Sequence, residues 1–205
     1  MTNEINIFLP FIGWSGGPAE ISCPLVLDRD HKSLLSLHNG LTAFDGGLRI
    51  FGTKPGKLPT LQEWNEPKGW RSAYKELVKP TLIFFAEDVF GNQFAFDDGN
   101  VIYFDAENGR ATPFAKSFLE WLSIILEDPV DTLQLVFYKS WRDKGARLEP
   151  SEHLCPVYPF IVKADPPLKE LYHVKSMEDM LYKGNFAYQI KDVPDGAQIK
   201  MRVTE

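Results

Sequence analysis

The sequence of 205 residues lacks a cysteine framework, long apolar runs and a recognisable targeting segment. Its two cysteines, Cys23 and Cys155, lie far apart, which predicts reduced, packed thiols in a cytoplasmic protein. No apolar run reaches the ~20 residues that span a bilayer, so we expect no membrane segment. The opening residues MTNEINIFLPFIGW have neither a basic segment nor a small-residue cleavage site, and we therefore expect no signal peptide.

Basic residues are also fewer than acidic ones. Acidic residues outnumber basic ones 28 to 22, which gives a formal charge of −6. Because no Lys/Arg-rich stretch stands out, nucleic acid is not an expected ligand. The same charge favours a basic protein partner, although many acidic proteins use their charge for solubility alone.

Motifs of catalysis and metal binding are missing as well. There is no G-x-S-x-G elbow, and GWSGGP (13–18) lacks the Gly-Lys-Ser/Thr ending of a phosphate-binding loop. DDGNVIYFDAENG has the composition of a calcium loop, but its apolar middle predicts a strand that cannot wrap a cation. The four histidines are scattered without zinc-ligand spacing. We therefore expect no catalytic residue, no metal and no cofactor.

The apolar share of 44% is that of a globular chain, and turn signals divide it into short segments. Asp28 or Asp30 can cap a helix that ends at Asn39-Gly40. Gly46-Gly47 predicts a turn between two short strands. The spacing of the apolar residues over 69–78 predicts a second helix. The first two dozen residues are rich in Gly and Pro, and they predict an irregular lead-in with one short strand at most.

The middle of the chain predicts three consecutive strands, TLIFFAED, NQFAFD and VIYFDA. Asp98-Gly99 is the dipeptide of a tight hairpin, because both central residues need positive φ, and Asn108-Gly109 predicts a second turn of the same kind. The carboxylates around these turns are explained first by the tolerance of Asp and Asn for turn backbone. A negative surface for a partner is the second explanation, and catalysis is a distant third.

From residue 113 onward, the pattern predicts two helices, two strands and one segment that stays open. PFAKSFLEWLSIILEDP (113–129) predicts an amphipathic helix, and LQLVFY (133–138) leaves strand and helix both open. VYPFIVK (157–163) predicts a strand. Ser176 and Asp179 have the spacing of a capping box at the start of another helix. AQIKMRV (197–203) alternates as a last strand.

Four tryptophans, Trp14, Trp64, Trp70 and Trp141, lie in or near polar stretches. Exposed tryptophans would anchor a protein partner. Packing of these rings into gaps where loops cover the sheet is the alternative, and it stays open here.

Three segments together resemble the SUKH superfamily, which includes fungal cell-wall synthesis regulators and bacterial immunity proteins. They are HNGLTAFDGGLRIFG, FFAEDVFGNQFAFDDGNVIYFDAENG and SFLEWLSIIL, and they cover about residues 28–127. The matching features are Asn39-Gly40, Phe90-Gly91-Asn92, the acidic hairpin Asp97–Asn100, and Ser117-Phe118 with Trp121.

The resemblance implies an α+β fold with a mostly antiparallel sheet flanked by helices. We interpret residues 1–205 as a single SUKH-like domain, with a core at about 28–127 and a C-terminal α/β extension at about 130–205 packed on it.

The resemblance also implies a non-enzymatic protein-binding function, here a bacterial immunity protein that neutralises a cognate toxin, for example a nuclease. This function is compatible with either a monomer or a homodimer. We expect the partner to meet an acidic and aromatic surface formed by Glu87, Asp88, Asp97, Asp98, Trp64 and Trp70. The alternatives are a regulatory scaffold that binds host proteins and an uncharacterised hydrolase.

Overall fold

The computed structural model describes residues 2–162 and 170–199. Its centre is a seven-stranded antiparallel sheet in which the strands lie side by side in chain order. Helices flank this sheet, and a two-stranded sheet and a long helix follow near the C-terminus. The fold is therefore α+β with a mostly antiparallel sheet flanked by helices, as predicted from the sequence.

The strands of the large sheet are β1 (Ile12–Ser15), β2 (Leu41–Ala43), β3 (Leu48–Ile50), β4 (Ile83–Asp88), β5 (Gln93–Asp97), β6 (Asn100–Asp105) and β7 (Arg110–Ala115), and those of the small sheet are β8 (Glu152–Pro156) and β9 (Leu171–Lys175). The helices are α1 (Asn3–Phe8), α2 (Arg29–Leu37), α3 (Leu61–Trp64), α4 (Arg71–Tyr74), α5 (Phe118–Glu127), α6 (Pro129–Thr132), α7 (Leu135–Arg142) and α8 (Ser176–Ile190). Single 3₁₀ turns occupy Leu9–Phe11, Phe44–Gly46 and Lys75–Leu77. Within the described residues, no helix is both long and apolar enough to cross a bilayer.

Both faces of the large sheet are covered at its central strands β4 and β5. On one face, Phe85 of β4 packs against Trp121 of α5, with ring centroids 5.0 Å apart. On the other face, Trp70 packs against Phe84 at 4.9 Å, and Tyr74 of α4 against Phe104 at 5.1 Å. Because neither face of these strands meets water, β4 reads as a continuous apolar run instead of an alternating one.

Local capping and turn predictions are confirmed. The carboxylate of Asp28 accepts hydrogen bonds from the backbone N–H groups of Asp30 and His31, both at 2.8 Å, so α2 begins after Asp28. The helix ends before Gly40, whose φ of +78° lies in the left-handed region. Asp98 and Gly99 also have positive φ values, 50° and 81°, as a tight hairpin requires.

The helix predicted over 113–129 starts too early. Ser117 caps α5 by accepting from the N–H of Glu120, and the preceding residues form β7, which the sequence did not predict. Phe114 therefore belongs to a strand, where its ring packs on Phe94 at 5.2 Å. Residues 133–138, left open between strand and helix, are helical over most of their length, because α7 begins at Leu135.

The remaining local predictions were partly wrong. The irregular lead-in contains the helix α1 besides β1, and the helix predicted over 69–78 is one α-turn followed by a 3₁₀ turn. Residues 157–162 form no strand, and position 163 lies outside the described residues. Residues 197–199 form no strand either, and positions 200–203 lie outside the described residues. Only Gly109 of the Asn108-Gly109 pair has positive φ, so this turn differs from the hairpin at Asp98.

Candidate functional site

A sealed group of charged and polar side chains lies where β3, β4 and β5 meet β8 and α8. We call it the polar cluster. Each of its residues is at most 4% exposed although most carry a charge. Its members are Arg49, Glu87, Gln93, His153, Asp179 and Lys183.

His153 is the centre of this cluster. Its Nδ1 atom lies 2.8 Å from Oδ2 of Asp179, and its Nε2 atom lies 3.1 Å from Oε2 of Glu87. The contact with Asp179 has hydrogen-bond geometry, whereas that with Glu87 has an ion-pair distance and a poor angle. The same oxygen of Asp179 also accepts from Nζ of Lys183 at 2.7 Å. The imidazole therefore stands between two carboxylates that come from different elements.

The sheet side of the cluster is tied down by Arg49 and Gln93. Arg49 Nη1 lies 3.3 Å from Oε1 of Glu87, and the amide nitrogen of Gln93 donates to Oε2 of Glu87 at 2.9 Å. The amide oxygen of Gln93 accepts from the indole N–H of Trp64 at 2.8 Å. Buried polar groups need such partners, because an unpaired one costs about 1–3 kcal/mol.

These contacts keep the cluster charged. Burial alone would raise the pKa of Glu87, but His153 and Arg49 outweigh it and hold that pKa below its usual value. Burial alone would lower the pKa of His153, but the two neighbouring carboxylates raise it above its usual value. The pKa of Asp179 is held low against burial by Lys183 and His153.

Asp88 lies beside the polar cluster and holds the turn that follows β4. Its carboxylate accepts from the backbone N–H groups of Phe90 at 2.8 Å and Asn92 at 3.0 Å, and from the amide of Asn92 at 2.8 Å. Burial raises the pKa of Asp88 to about 6. The Phe90-Gly91-Asn92 segment is thus the turn between β4 and β5, and a Cβ at Gly91 would lie 2.7 Å from Nδ1 of His153.

The cluster cannot meet a substrate in this conformation, because His153 is fully buried. Cys155 Sγ donates to Oδ1 of Asp179 at 3.0 Å, and burial raises the pKa of this thiol, so it is a poor nucleophile. Among residues 2–162 and 170–199, no group of His, Cys, Asp and Glu side chains could hold a metal ion.

The predicted partner surface is corrected at four of its six positions. Glu87 and Asp88 are buried because the side chains of β4 point into the polar cluster and into the turn that follows. Trp64 and Trp70 are buried because their rings cover the sheet, and Trp70 donates its indole N–H to the carbonyl of Trp64 at 2.9 Å. Trp141 is also buried, so the packing alternative holds for these three tryptophans.

The other two positions lie at the surface. Asp98 is exposed at the tip of the β5–β6 hairpin. Asp97 is partly exposed and lies 3.3 Å from Nζ of Lys79. Among the residues that the structure describes, the acidic hairpin therefore offers one unpaired carboxylate, that of Asp98, and one that is paired.

A different surface stands out instead, formed by α7, α8, β9 and the loop after β8. Phe137, Phe160, Tyr172 and Tyr182 are 40–50% exposed, as is Ile161. The rings of Phe137 and Phe160 lie 5.6 Å apart, and Phe160 also contacts Phe90 at 5.3 Å. We call these five residues the aromatic surface. Sequence reasoning missed it, although the run VYPFI, with no polar residue between 157 and 161, marks it.

Glu107 fixes the loop that carries this surface. Its carboxylate accepts hydrogen bonds from the backbone N–H groups of Phe160 at 2.9 Å and Ile161 at 3.0 Å. Burial raises the pKa of Glu107. Burial and then the negative charge of Glu107 raise the pKa of Tyr182.

Two grooves lie at the surface. One of about 750 Å³ lies between the Asn108–Arg110 turn, Ile161 and residues 190–199, and one of about 950 Å³ lies beside α7. Neither groove is lined by a member of the polar cluster. The polar cluster and these two grooves are thus separate features.

In a comparison with known proteins, the central part of the chain matches one protein family. Residues 33–172 match the family model described as "Protein of unknown function DUF2625", which is well over half of the chain. An "Uncharacterized protein" of Haemophilus influenzae is 28% identical over 119 residues, which make up 54% of this chain and 51% of that protein. The match thus spans about half the length of the curated relative.

Proposed function

The chain belongs to the DUF2625 family, and on that premise we propose that it is a non-enzymatic protein-binding domain that binds and neutralises a protein toxin. The observation that carries the proposal is the aromatic surface. Clustered exposed aromatic side chains mark interaction sites, because monomeric proteins rarely leave such patches in water. Aromatic residues are also the side chains that most often dominate binding energy at interfaces.

The distribution of charge supports a basic partner. Acidic residues outnumber basic ones 18 to 11 in residues 1–132, whereas the rest of the chain is nearly balanced, with 10 acidic and 11 basic residues. An acidic protein attracts a basic one over long distances and speeds their encounter. Nucleases grip phosphate and are commonly basic, so a nuclease toxin fits this charge.

The sealed state of the polar cluster favours binding over catalysis. A general acid or base must come within hydrogen-bond reach of its substrate. His153, Glu87 and Asp179 are each at most 3% exposed, and their charged atoms face other charged groups of the protein. The immunity part of the proposal is based on the resemblance to the SUKH superfamily, and it implies a cytoplasmic protein that acts before the toxin reaches its target.

A binding experiment tests the proposal. The purified full chain is titrated with the product of the adjacent gene, as candidate toxin, at two salt concentrations, and the toxin's activity is measured in parallel. We expect tight 1:1 binding that weakens with salt and silences the toxin.

Variants then locate the surface. Phe137→Ser and Tyr182→Ser should each raise the dissociation constant by about tenfold or more. Leu27→Ser is the matched control, because Leu27 is 68% exposed and lies outside the aromatic surface. An unchanged affinity in both aromatic variants, with a loss in Asp97→Lys/Asp98→Lys, would move the site to the hairpin. A folded protein that binds no neighbouring gene product would contradict the immunity function.

A further inference from the structure

The two ring nitrogens of His153 both face carboxylate oxygens, at 2.8 Å and 3.1 Å. A neutral imidazole has one N–H donor and one nitrogen lone pair, whereas the imidazolium has two donors. If His153 were neutral, its lone pair would point at one of the two carboxylates inside a sealed site. Only the doubly protonated ring is compatible with both neighbours.

Charged groups contact His153 from β4 and from α8, whereas its other neighbours Trp64 and Gly91 carry no charge. Glu87 lies on β4, with Arg49 of β3 on its far side, and Asp179 lies on α8, with Lys183 of the same helix on its far side. Cys155, two residues along β8, donates to Asp179 and stays a thiol because burial raises its pKa. Each carboxylate thus has one permanent cation as well as His153.

His153, Glu87 and Asp179 belong to elements that lie far apart in the sequence. We call β8, β9 and α8 together the C-terminal unit. His153 on β8 contacts Glu87 of the large sheet on one side and Asp179 of α8 on the other. The imidazolium therefore joins both parts of the C-terminal unit to the large sheet.

We propose that His153 is a proton-dependent latch: its imidazolium holds the C-terminal unit on the large sheet, and loss of its proton at alkaline pH loosens that unit. Removing the charge leaves two buried carboxylates facing a neutral ring. One carboxylate then faces a ring-nitrogen lone pair instead of an N–H donor, and a buried group that loses a charge-assisted hydrogen bond destabilises the contact between the elements that it joins.

The direction of the pH effect follows from the raised pKa of His153. A histidine whose pKa is higher in the folded state stabilises the fold fully below its unfolded value of about 6.5. This contribution is lost as the pH rises through the folded pKa. Glu87 and Asp179 have lowered pKa values and Lys183 a raised one, so these three stay ionised over that range.

The latch also connects to the aromatic surface. Nζ of Lys183 donates to the carbonyl of Phe90, and the ring of Phe90 packs against Phe160. Loosening of α8 therefore disturbs Phe160. This last step rests on the proposed function, whereas the latch itself does not.

Two measurements on the full chain test the latch. Nuclear magnetic resonance of the histidine rings should show His153 doubly protonated at about pH 7, and losing its proton only at higher pH. Hydrogen exchange, corrected for the intrinsic rate at each pH, should be compared at about pH 7 and at a pH above that at which the resonances show His153 losing its proton. Protection in β8 and α8 should fall about tenfold or more between these two pH values, with β5 and β6 unchanged.

Variants give the controls. His153→Gln cannot carry the charge, so its β8 and α8 should be poorly protected at both pH values. His173→Gln is the matched control, because His173 is half exposed, lies 3.2 Å from Glu152 on the same small sheet, and should leave the wild-type pH profile unchanged.

Clear results would overturn the latch. A neutral His153 ring at pH 7 in the wild-type chain would refute it even if His153→Gln fails to fold. Unchanged protection of β8 and α8 on the two sides of the pH at which His153 loses its proton would do the same. A working latch in a chain that binds no toxin would instead count against the proposed function alone.

Discussion

Gly184 of α8 lies directly against the ring of Tyr74 in α4. A Cβ at Gly184 would come within 2.7 Å of Cδ2 of Tyr74 and 2.8 Å of Cβ of Ala73. The long C-terminal helix approaches the sheet-covering helix this closely only because this position has no side chain. Tyr74 is itself fixed, since its hydroxyl donates to the carbonyl of Ala106 at 2.7 Å.

Gly184→Ala should therefore destabilise the protein by about 1–3 kcal/mol, because overpacking outweighs the gain of about 1 kcal/mol in helix propensity. Urea denaturation measures the difference. Asn185→Ala is the control at the neighbouring, exposed position and should be neutral or slightly stabilising. A stabilised Gly184→Ala variant would show that α8 does not pack as described.

His31 is a buried histidine without a polar partner. It lies among the rings of Phe85, Phe96 and Phe118, and neither ring nitrogen forms a hydrogen bond in the described residues. Burial lowers its pKa to about 3. His31→Leu should raise the stability at pH 7 by about 1 kcal/mol, since two unpaired polar atoms are removed from an apolar site.

The same variant should change the response to acid. The unfolded chain takes up a proton at His31 below about pH 6.5 while the folded chain stays neutral down to about pH 3, so stability falls as the pH falls through this range. At pH 5 the expected loss from His31 is about 2 kcal/mol, and His31→Leu should lack it. Denaturation curves at the two pH values measure this. Equal acid sensitivity in both proteins would contradict the burial of His31.

Glu107 is expected to hold the aromatic loop. Glu107→Gln keeps one acceptor oxygen but presents an amide to the second N–H, so the Phe160 and Ile161 amides should exchange faster, by about tenfold or more. Amide-resolved hydrogen exchange checks this. Glu178→Gln removes an exposed carboxylate of α8 and should leave those two amides as they are. Unaltered exchange in Glu107→Gln would show that the loop is held by other contacts.

Variants of Asp98, at the tip of the β5–β6 hairpin, test whether Asp is present there because it tolerates the backbone conformation of the turn. Its φ of 50° is tolerated by Asn and Asp but strained for a β-branched residue. Asp98→Asn should leave the free energy of unfolding within about 0.5 kcal/mol, whereas Asp98→Val should lower it by about 1–2 kcal/mol. Thermal or urea denaturation separates the two. Equal losses would mean that the carboxylate charge, and not the backbone, explains the residue.

Features set by neighbouring residues could be predicted from the sequence. The cap at Asp28, the stop at Gly40 and the Asp98-Gly99 hairpin are local, because each depends on a few consecutive residues. The order of helices and strands between 29 and 105 follows from these signals. The β7 strand was missed because Phe114 also fits the helical period of the segment after it.

The candidate site could not be predicted in the same way. The Arg49–Glu87 pair spans 38 residues, and the Lys183–Phe90 contact spans 93. Asp179 has the spacing of a capping box, but its carboxylate turns to His153 and Lys183, and Ser176 Oγ forms no hydrogen bond among the described residues. Trp64 stands among polar neighbours in the sequence, yet a single helical turn is enough to direct its ring onto the sheet.

The sheet of strands in chain order has a consequence for biosynthesis. Each strand from β2 to β7 pairs with the one made just before it, so the sheet can grow as the polypeptide emerges from the ribosome, and the longest connections to close are those from β1 to β2 and from β3 to β4. The contacts of His153, Asp179 and Lys183 must wait until the last helix has been translated. The nascent sheet therefore holds Glu87 with Arg49 alone, and the final stage of folding adds the imidazolium of His153 to this pair and seals it from water.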